Sequence, residues 1–364
     1  MNRKASRIMI KKIKIKNFRC FDDFMMENLL PITIIGGANN TGKTALLEAI
    51  LTNYAAGNLG IFWSLVHIRN GYVAQQLLPN QVWENLFLNK ENVNELNISS
   101  EWHNDISSNL TLSKVYDSGI QFQFNDVLSS IRMKFESPSY HIAGKCIIKN
   151  DIMQQNRIDM QPDDSNNIDL EKFNRVFERS LLYKGLPYDV SLPGRISRMV
   201  LDEEKKELLI DVLRKFDKNI VDIRTVVDNT ITYSYVISKT GQALPINYMG
   251  DGINKALLII SNILNLKNGI LLIDEIENGF YYELYEQLLT IFCETALKNN
   301  CQIITTTHNF DIIETFANVM GKLNKLDDLC YQRIDTSART GKRTAKTFSG
   351  ASLVNAIKAN MEVR

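Results

Sequence analysis

Residues 36 to 44 read Gly-Gly-Ala-Asn-Asn-Thr-Gly-Lys-Thr and carry no bulky apolar side chain. They lie between a β-branched run, Ile32-Thr33-Ile34-Ile35, and the apolar stretch ALLEAILTNY. Gly37 to Thr44 satisfies the spacing G-x-x-x-x-G-K-[ST]. Gly37 and Gly42 let the backbone fold around a phosphate, so that the N–H groups of the intervening residues, Asn39, Asn40 and Thr41 among them, point inward. The following helix adds the positive end of its dipole. Lys43 reaches the β- and γ-phosphates, and the Thr44 hydroxyl takes a position on magnesium. With ordinary glycine usage a chance match in a chain this long is on the order of one per cent. The stretch is therefore read as a cradle for ATP with Mg2+ rather than as a plain polar turn.

A phosphate cradle needs a carboxylate for magnesium and a means of activating water. The segment GILLIDEIENGF supplies a buried strand ending in Asp274 and Glu275. Asp274 is the expected magnesium ligand at the strand's carboxyl end, and Glu275 the expected general base. A second apolar strand, QIITTTHNF, ends in His308, where a γ-phosphate sensor is expected. Upstream, NYMGDGINKALLIISNIL places Gly250, Asp251 and Gly252 at the head of a helix with Leu257, Ile260 and Leu264 on its apolar face. That helix stops at Gly269, just before the Asp274 strand.

The elements that must position these residues follow from periodicity. Residues 8 to 16 alternate Ile with Lys as an edge strand does. ITII is a short buried strand, and residues 45 to 55 have helical spacing. Residues 56 to 150 mix amphipathic helix with short strands, and 150 to 169 are polar enough to read as a loop. Helical patterns follow in LEKFNRVFERSLL and DEEKKELLIDVLRKF, and then the strand ITYSYVIS. The last 40 residues or so read as a hairpin and a closing helix. Strands alternating with helices argue for an α/β fold, a P-loop NTPase core with an N-terminal antiparallel β subdomain and an α-rich insertion. At 364 residues the chain exceeds one ordinary core. The expected division is 1–55 for the N-terminal half of the ATPase core, 56–205 for a mixed insertion or lid, and 206–364 for the C-terminal half.

Composition narrows the function. Forty-two basic against 41 acidic residues give a net charge of +1, so bulk electrostatics offers no case for nucleic acid. No apolar run approaches the ~20 residues that span a bilayer. The N-terminus lacks the apolar core of a signal peptide, and the five cysteines are scattered with no C-x-x-C pair. A cytoplasmic protein with reduced thiols is expected.

The four motifs in this order resemble the ABC-type ATPase heads of the RecF, SMC and OLD group. IKIKNFRCFDDF is similar to that group's opening strand and N-F-R turn. MGDGINK and DEIENG resemble its signature and post-Walker-B segments. The resemblance covers residues 8–55 and 245–315. It implies that Gly250, Asp251 and Gly252 contact the γ-phosphate bound by a second copy, so that ATP is sandwiched in a homodimer. It also implies that Asn17, Arg19 and Phe21 flank the base. Gly250 stands where transporter-type proteins have serine, and no glutamine is assigned to the Q-loop.

Short ATPases of this group are often paired with a separate effector, a nuclease or toxin, in prokaryotic anti-phage systems. OLD proteins carry a Toprim nuclease, but too few residues follow His308 for one, and no D-x-D occurs in the chain. The expectation is a nucleotide-gated switch without intrinsic nuclease activity. The alternative is a RecF-like ATP-dependent DNA clamp in repair or recombination. DNA remains a possible partner on that reading, with ARTGKRTAK at 338–346 as a basic segment.

Overall fold

The computed structural model describes residues 9–54, 85–88, 93–103, 106–117, 123–124, 131–132, 139–150, 153–160, 180–184, 192–228 and 231–359. Two compact units divide the chain. The first comprises Met1–Leu29, Gly37–Leu182 and Gln332–Thr347, and the second Leu30–Gly36, Tyr183–Tyr331 and Phe348–Arg364.

The first unit is built on strands β1 (Ile10–Phe18) and β2 (Phe21–Met26). The chain then gives β3 (Ile32–Gly36) to the second unit and returns as helix α1 (Lys43–Tyr54). Strands β4 (Glu95–Trp102) and β5 (Ser107–Asp117) follow, then a two-residue pair, β6 (Gln123–Phe124) with β7 (Ile131–Arg132). Strands β8 (Ser139–Asn150) and β9 (Met153–Met160) complete an antiparallel sheet of order β2-β1-β4-β5-β8-β9.

Ile10, Ile13, Ile15 and Phe18 of β1 are fully buried, while Lys12, Lys14 and Lys16 take the other face. Helix α1 lies against β1, β4 and β5. Polar contacts help to fix it there, among them a hydrogen bond from the Ser100 hydroxyl to Asn53 Oδ1. Asn53 Nδ2 donates to the Ile98 carbonyl at 2.8 Å, and Arg19 Nε lies 2.6 Å from the buried Glu48 carboxylate.

Three expectations are corrected here. Strand β1 is no edge, because β2 pairs on one side and β4 on the other. Alternation reports that one face of a strand is buried, and says nothing about whether its sides are paired. Over its described residues the insertion contains strands β4 to β9, much of the rest of the segment expected to be α-rich lies outside the described residues, and β9 occupies part of the stretch read as a loop. Met153-Gln-Gln-Asn-Arg-Ile-Asp-Met160 is too polar to look like a buried strand, yet it pairs with β8 from Gly144 to Asn150. Backbone hydrogen bonding needs no apolar pattern. Most of the expected helix LEKFNRVFERSLL lies outside the described residues, and its end is strand β10 (Ser180–Lys184).

The second unit centres on three parallel strands. β3, β14 (Ile270–Asp274) and β15 (Gln302–Thr306) lie in the order β14-β15-β3, with Ile304 opposite both Leu272 and Thr33. Every residue of the three is buried, as fits strands covered on both faces. β10 neighbours β14, and β16 (Leu329–Thr336) neighbours β3, with β17 (Arg343–Ser349) beside it. The chain passes to the first unit within β16, after Tyr331.

A small antiparallel sheet, β11 (Ile220–Asp228), β12 (Ile231–Ser238) and β13 (Ala243–Pro245), adjoins helices α2 (Leu192–Met199) and α3 (Glu203–Phe216). Helices α4 (Asp251–Asn265), α5 (Tyr285–Lys298), α6 (Phe310–Lys322) and α7 (Gly350–Lys358) complete the unit. Asn309 caps α6 by accepting from the Asp311 N–H, which ends the β15 segment sharply and sets His308 in the turn. No described helix is long and apolar enough to cross a membrane. The architecture is the expected α/β class, with antiparallel and parallel sheets.

The end of β3 is tightly packed. A Cβ on Gly36 would meet the Tyr331 hydroxyl at 2.1 Å, whereas one on Gly250 would meet nothing within 4 Å. Gly36→Ala is expected to destabilise the protein by about 1–3 kcal/mol through overpacking. Thermal unfolding of Gly36→Ala against Gly250→Ala checks this, since only the first should lose several degrees of Tm.

Candidate functional site

The residues singled out from the sequence fall into two groups, one in each unit. In the first, the chain leaves β3 at Gly36 and enters α1 at Lys43. Gly37 has φ +131° and Gly42 has φ +102°, values that side-chain-bearing residues rarely adopt. Both are also confined. A Cβ on Gly37 would meet the Ile334 carbonyl at 2.5 Å, and one on Gly42 would meet Cys20 Sγ at 2.7 Å. Asn40, at φ 63°, makes the left-handed turn between them. Asn39 and Asn40 are exposed, while Thr41 is buried and donates its hydroxyl to the Ala38 carbonyl at 3.0 Å. Lys43 Nζ donates to the carbonyls of Gly37 and Ala38 at 2.8 and 2.9 Å, and Thr44 sits half-buried in the first turn of α1.

Arg343 braces this loop from β17. Its Nε donates to the Thr41 carbonyl at 3.0 Å and its Nη1 to the Cys20 carbonyl at 2.5 Å. Part of the basic segment 338–346 is thus committed to the loop. The N-F-R turn also serves structure. Asn17 Nδ2 donates to the Glu95 carbonyl, Arg19 pairs with Glu48, and Phe21 is 1% exposed.

The second group lies at the carboxyl ends of β14 and β15. Asp274 is 4% exposed, and its Oδ1 accepts from the Thr306 hydroxyl at 2.6 Å. The same hydroxyl oxygen accepts from the Glu275 N–H at 2.8 Å. One threonine thus fixes both adjacent acids. Glu275 has φ 50°, a left-handed conformation that costs about 1 kcal/mol or more and persists only where neighbours enforce it.

Lys255 is one of those neighbours. From the first turns of α4 its Nζ donates to the carbonyls of Glu275, Ile276 and Asn278 at 2.9, 3.1 and 2.7 Å. The Glu275 carboxylate accepts from Asn278 Nδ2 at 2.5 Å and is about half exposed. His308 Nδ1 lies 3.3 Å from Glu277 and 4.0 Å from Glu275.

Gly250 is the N-cap of α4, and both it and Asp251 are exposed. Gly252 is different, because a Cβ there would meet the Gly279 carbonyl at 2.3 Å. Its smallness lets the head of α4 pack on the turn after Asp274-Glu275. The structure thus gathers Asp274, Glu275 and His308 at one strand edge, and the head of α4 reaches the same turn. Four participants were missed from sequence, namely Lys255, Thr306, Glu277 and Arg343. Lys255 carried a signal, being a lysine followed at once by the buried run Ala256-Leu-Leu-Ile-Ile260. Thr306 was one of three consecutive threonines in an otherwise aliphatic strand.

The Gly37–Thr44 spacing, with a buried strand before it and a helix after it, is that of a P-loop. Residues 159–314 match the family described as "AAA domain, putative AbiEii toxin, Type IV TA system", and residues 12–57 match "AAA domain". Over those two stretches the chain carries AAA-family ATPase domains. It is 25% identical over 341 residues to an ATP/GTP phosphatase of Helicobacter pylori, covering 86% of this chain and 88% of that protein. An uncharacterized protein of Methanocaldococcus jannaschii is 35% identical over 91 residues, covering 24% of this chain and 76% of its own length. The fold is that of an ABC-type head. The Smc head domain of Pyrococcus furiosus, solved bound to the C-terminal domain of ScpA, superposes with a TM-score of 0.56. That superposition covers 97% of this chain and 99% of the head at 11% identity.

Burial lowers the Lys255 ammonium to about 8, against the opposing pull of Glu277, Glu275 and Asp274. An ammonium offers three hydrogens to three carbonyls, and the neutral amine offers two. ATP turnover is expected to fall as pH rises through about 8. Lys255→Arg stays charged and should move that alkaline limb upward. Superimposable pH profiles for the two proteins would assign the limb to another group.

Proposed function

We propose that the chain is a magnesium-dependent ATP hydrolase that works as a nucleotide-gated homodimer and controls a separate effector. The observation that carries the catalytic part is the fixed pair of acids, a buried Asp274 and a half-exposed Glu275 held in a left-handed turn by Thr306 and Lys255. A buried carboxylate suits a structural hold on a cation, and an accessible one suits contact with water. The loop fits a triphosphate, with left-handed backbone at Asn40 and Gly42 and a lysine at the helix entry. Gly37, Asn39, Asn40, Thr41 and Gly42 line the phosphates with backbone N–H groups, and Lys43 neutralises the β/γ charge.

Thr44 and Asp274 are the residues that would hold magnesium, which when bound would offset charge on the phosphate oxygens. Among the described residues no three His, Cys, Asp or Glu side chains form a metal cluster. A single carboxylate plus substrate oxygens is the usual arrangement for Mg2+. Glu275 accepts the proton of the attacking water, and His308 senses the γ-phosphate.

The homodimer reading rests on the head of α4. Gly250 and Asp251 are exposed at a helix N-terminus, a place where a phosphate of a second copy can meet backbone N–H groups. Gly252 contributes packing there. An effector partner is supported by the Smc head, which is bound to ScpA in its structure. The toxin–antitoxin description of the matching family favours a role in anti-phage defence, with the effector a nuclease or toxin.

Lys43→Ala is expected to lose ATP binding. Glu275→Gln should bind ATP, lower turnover by roughly 10²-fold or more and accumulate a dimer, while Asp251→Arg should prevent that dimer without loss of monomer binding. Turnover, equilibrium ATP binding and light scattering on the purified chain check this, with and without linear duplex DNA. Parental turnover by Glu275→Gln would remove it as the base. Strong stimulation by DNA would favour the clamp reading over a protein-partner switch.

A further inference from the structure

The acid two residues beyond Glu275 takes no step in the proposed hydrolysis, yet it is nearly as buried as Asp274. Glu277 is 7% exposed. Its Oε1 accepts the His308 backbone N–H at 3.1 Å and lies 3.3 Å from His308 Nδ1. Its Oε2 is buried without a hydrogen-bond partner. A carboxylate oxygen left unsatisfied in the interior weakens a fold, so folding gives no reason for an acid here. Unsatisfied buried groups of this kind point to a task.

The surroundings say which task. Of the nearby acids Glu277 pulls hardest on the Lys255 ammonium of α4, but that ammonium donates to the three carbonyls of the 275–278 turn. Tyr285, on α5, is buried beside the acid, its hydroxyl pushed up first by burial and then by the Glu277 charge. Neither neighbour makes the close, two-point approach that His308 makes. Glu275 Oε1 is a competing acceptor for the same ring nitrogen, 4.0 Å away. A histidine paired with Glu275 would occupy the carboxylate that has to meet water.

We infer that Glu277 is a positioning residue for His308: it accepts from Nδ1–H, holds the ring off Glu275, and leaves Nε2 as the nitrogen available to the terminal phosphate. The backbone contact sets the turn and the ring contact sets the tautomer, so one buried oxygen controls both. The inference rests on the proposed role of His308 for its consequence in turnover, and on the ring geometry alone for its tautomer.

The two are separated by experiment. The chain has four histidines, so long-range proton–nitrogen spectra of the labelled full-length protein can resolve His308, identified by its loss in His308→Gln. The expected parent form carries its proton on Nδ1. Glu277→Ala should move it to Nε2, and Glu277→Gln should retain the parent form because its amide oxygen still accepts. A parent proton on Nε2, or a tautomer unchanged by Glu277→Ala, would overturn the assignment. Should Glu277→Ala not fold, the parent spectrum still decides. In turnover, Glu277→Ala is expected to slow hydrolysis on the order of tenfold, with no further loss when added to His308→Ala. Independent, multiplying losses would show that Glu277 acts elsewhere. A His308→Ala protein with parental turnover would remove the proposed role of His308, while the tautomer would still report on Glu277.

Discussion

The turn from Asp274 to Gly279 depends on one buried ammonium. Beyond the strand end the ladder with β15 has stopped, and although the Glu275 carbonyl accepts the Asn278 N–H, the carbonyls of Glu275, Ile276 and Asn278 all turn towards one point. Lys255 supplies three hydrogens at one point, and the turn closes around it. That closure is what makes φ 50° tolerable at Glu275, since its carbonyl is held by Lys255 and its N–H by Thr306. The strain of about 1–3 kcal/mol is stored where a side chain must be aimed. Phe280 covers the ammonium at 5.3 Å, which keeps water from competing for it.

The same lysine sits on α4, whose head packs on the turn through Gly252 and Gly279. Helix α4 and the acid-bearing turn therefore share a hydrogen-bonded and sterically tight joint within one unit. A displacement of the head of α4 has no slack to absorb it: a Cβ at Gly252 would already overlap the Gly279 carbonyl. Anything that loads the exposed end of α4 acts on the turn directly, through backbone and not through a flexible side chain. The Gly37–Thr44 loop follows a similar rule in its own unit. Gly37 and Gly42 are confined from outside by Ile334, Cys20 and Phe21, and Arg343 ties Thr41 to Cys20. The loop's shape is thus set by the β1–β2 turn and the C-terminal hairpin, elements far from it in sequence.

This explains which parts were legible in the sequence. The ends of strands and starts of helices carry fixed spacing, so Gly37 to Thr44, Asp274, Glu275 and His308 could be read as positions on elements. The parallel strands could be read as well, because burial on both faces leaves runs such as ILLID and QIITT with little else in them. What could not be read is pairing between distant segments. Strand β9 is polar and shows no period, and only its ladder with β8 makes it a strand. β1 looks like an edge because its lysines face solvent, although β4 pairs with it from a position more than 80 residues on. Arg343 looked like a basic surface group, since nothing local says that two carbonyls await it.

Buried polar groups mark the boundary between these two kinds of residue. Thr306, Lys255 and Glu277 are all buried, and each contacts backbone of the 274–278 or 307–308 turns. Lys255 and Thr306 are used fully, the one with three acceptors and the other with a donor and an acceptor role. Glu277 is used by half, with one oxygen engaged and the other unsatisfied. A fold selected only for stability would fill that position with an apolar side chain. The acid is retained at the one place where its engaged oxygen meets both the backbone and the ring of His308, which ties the cost of burying it to the orientation of that ring.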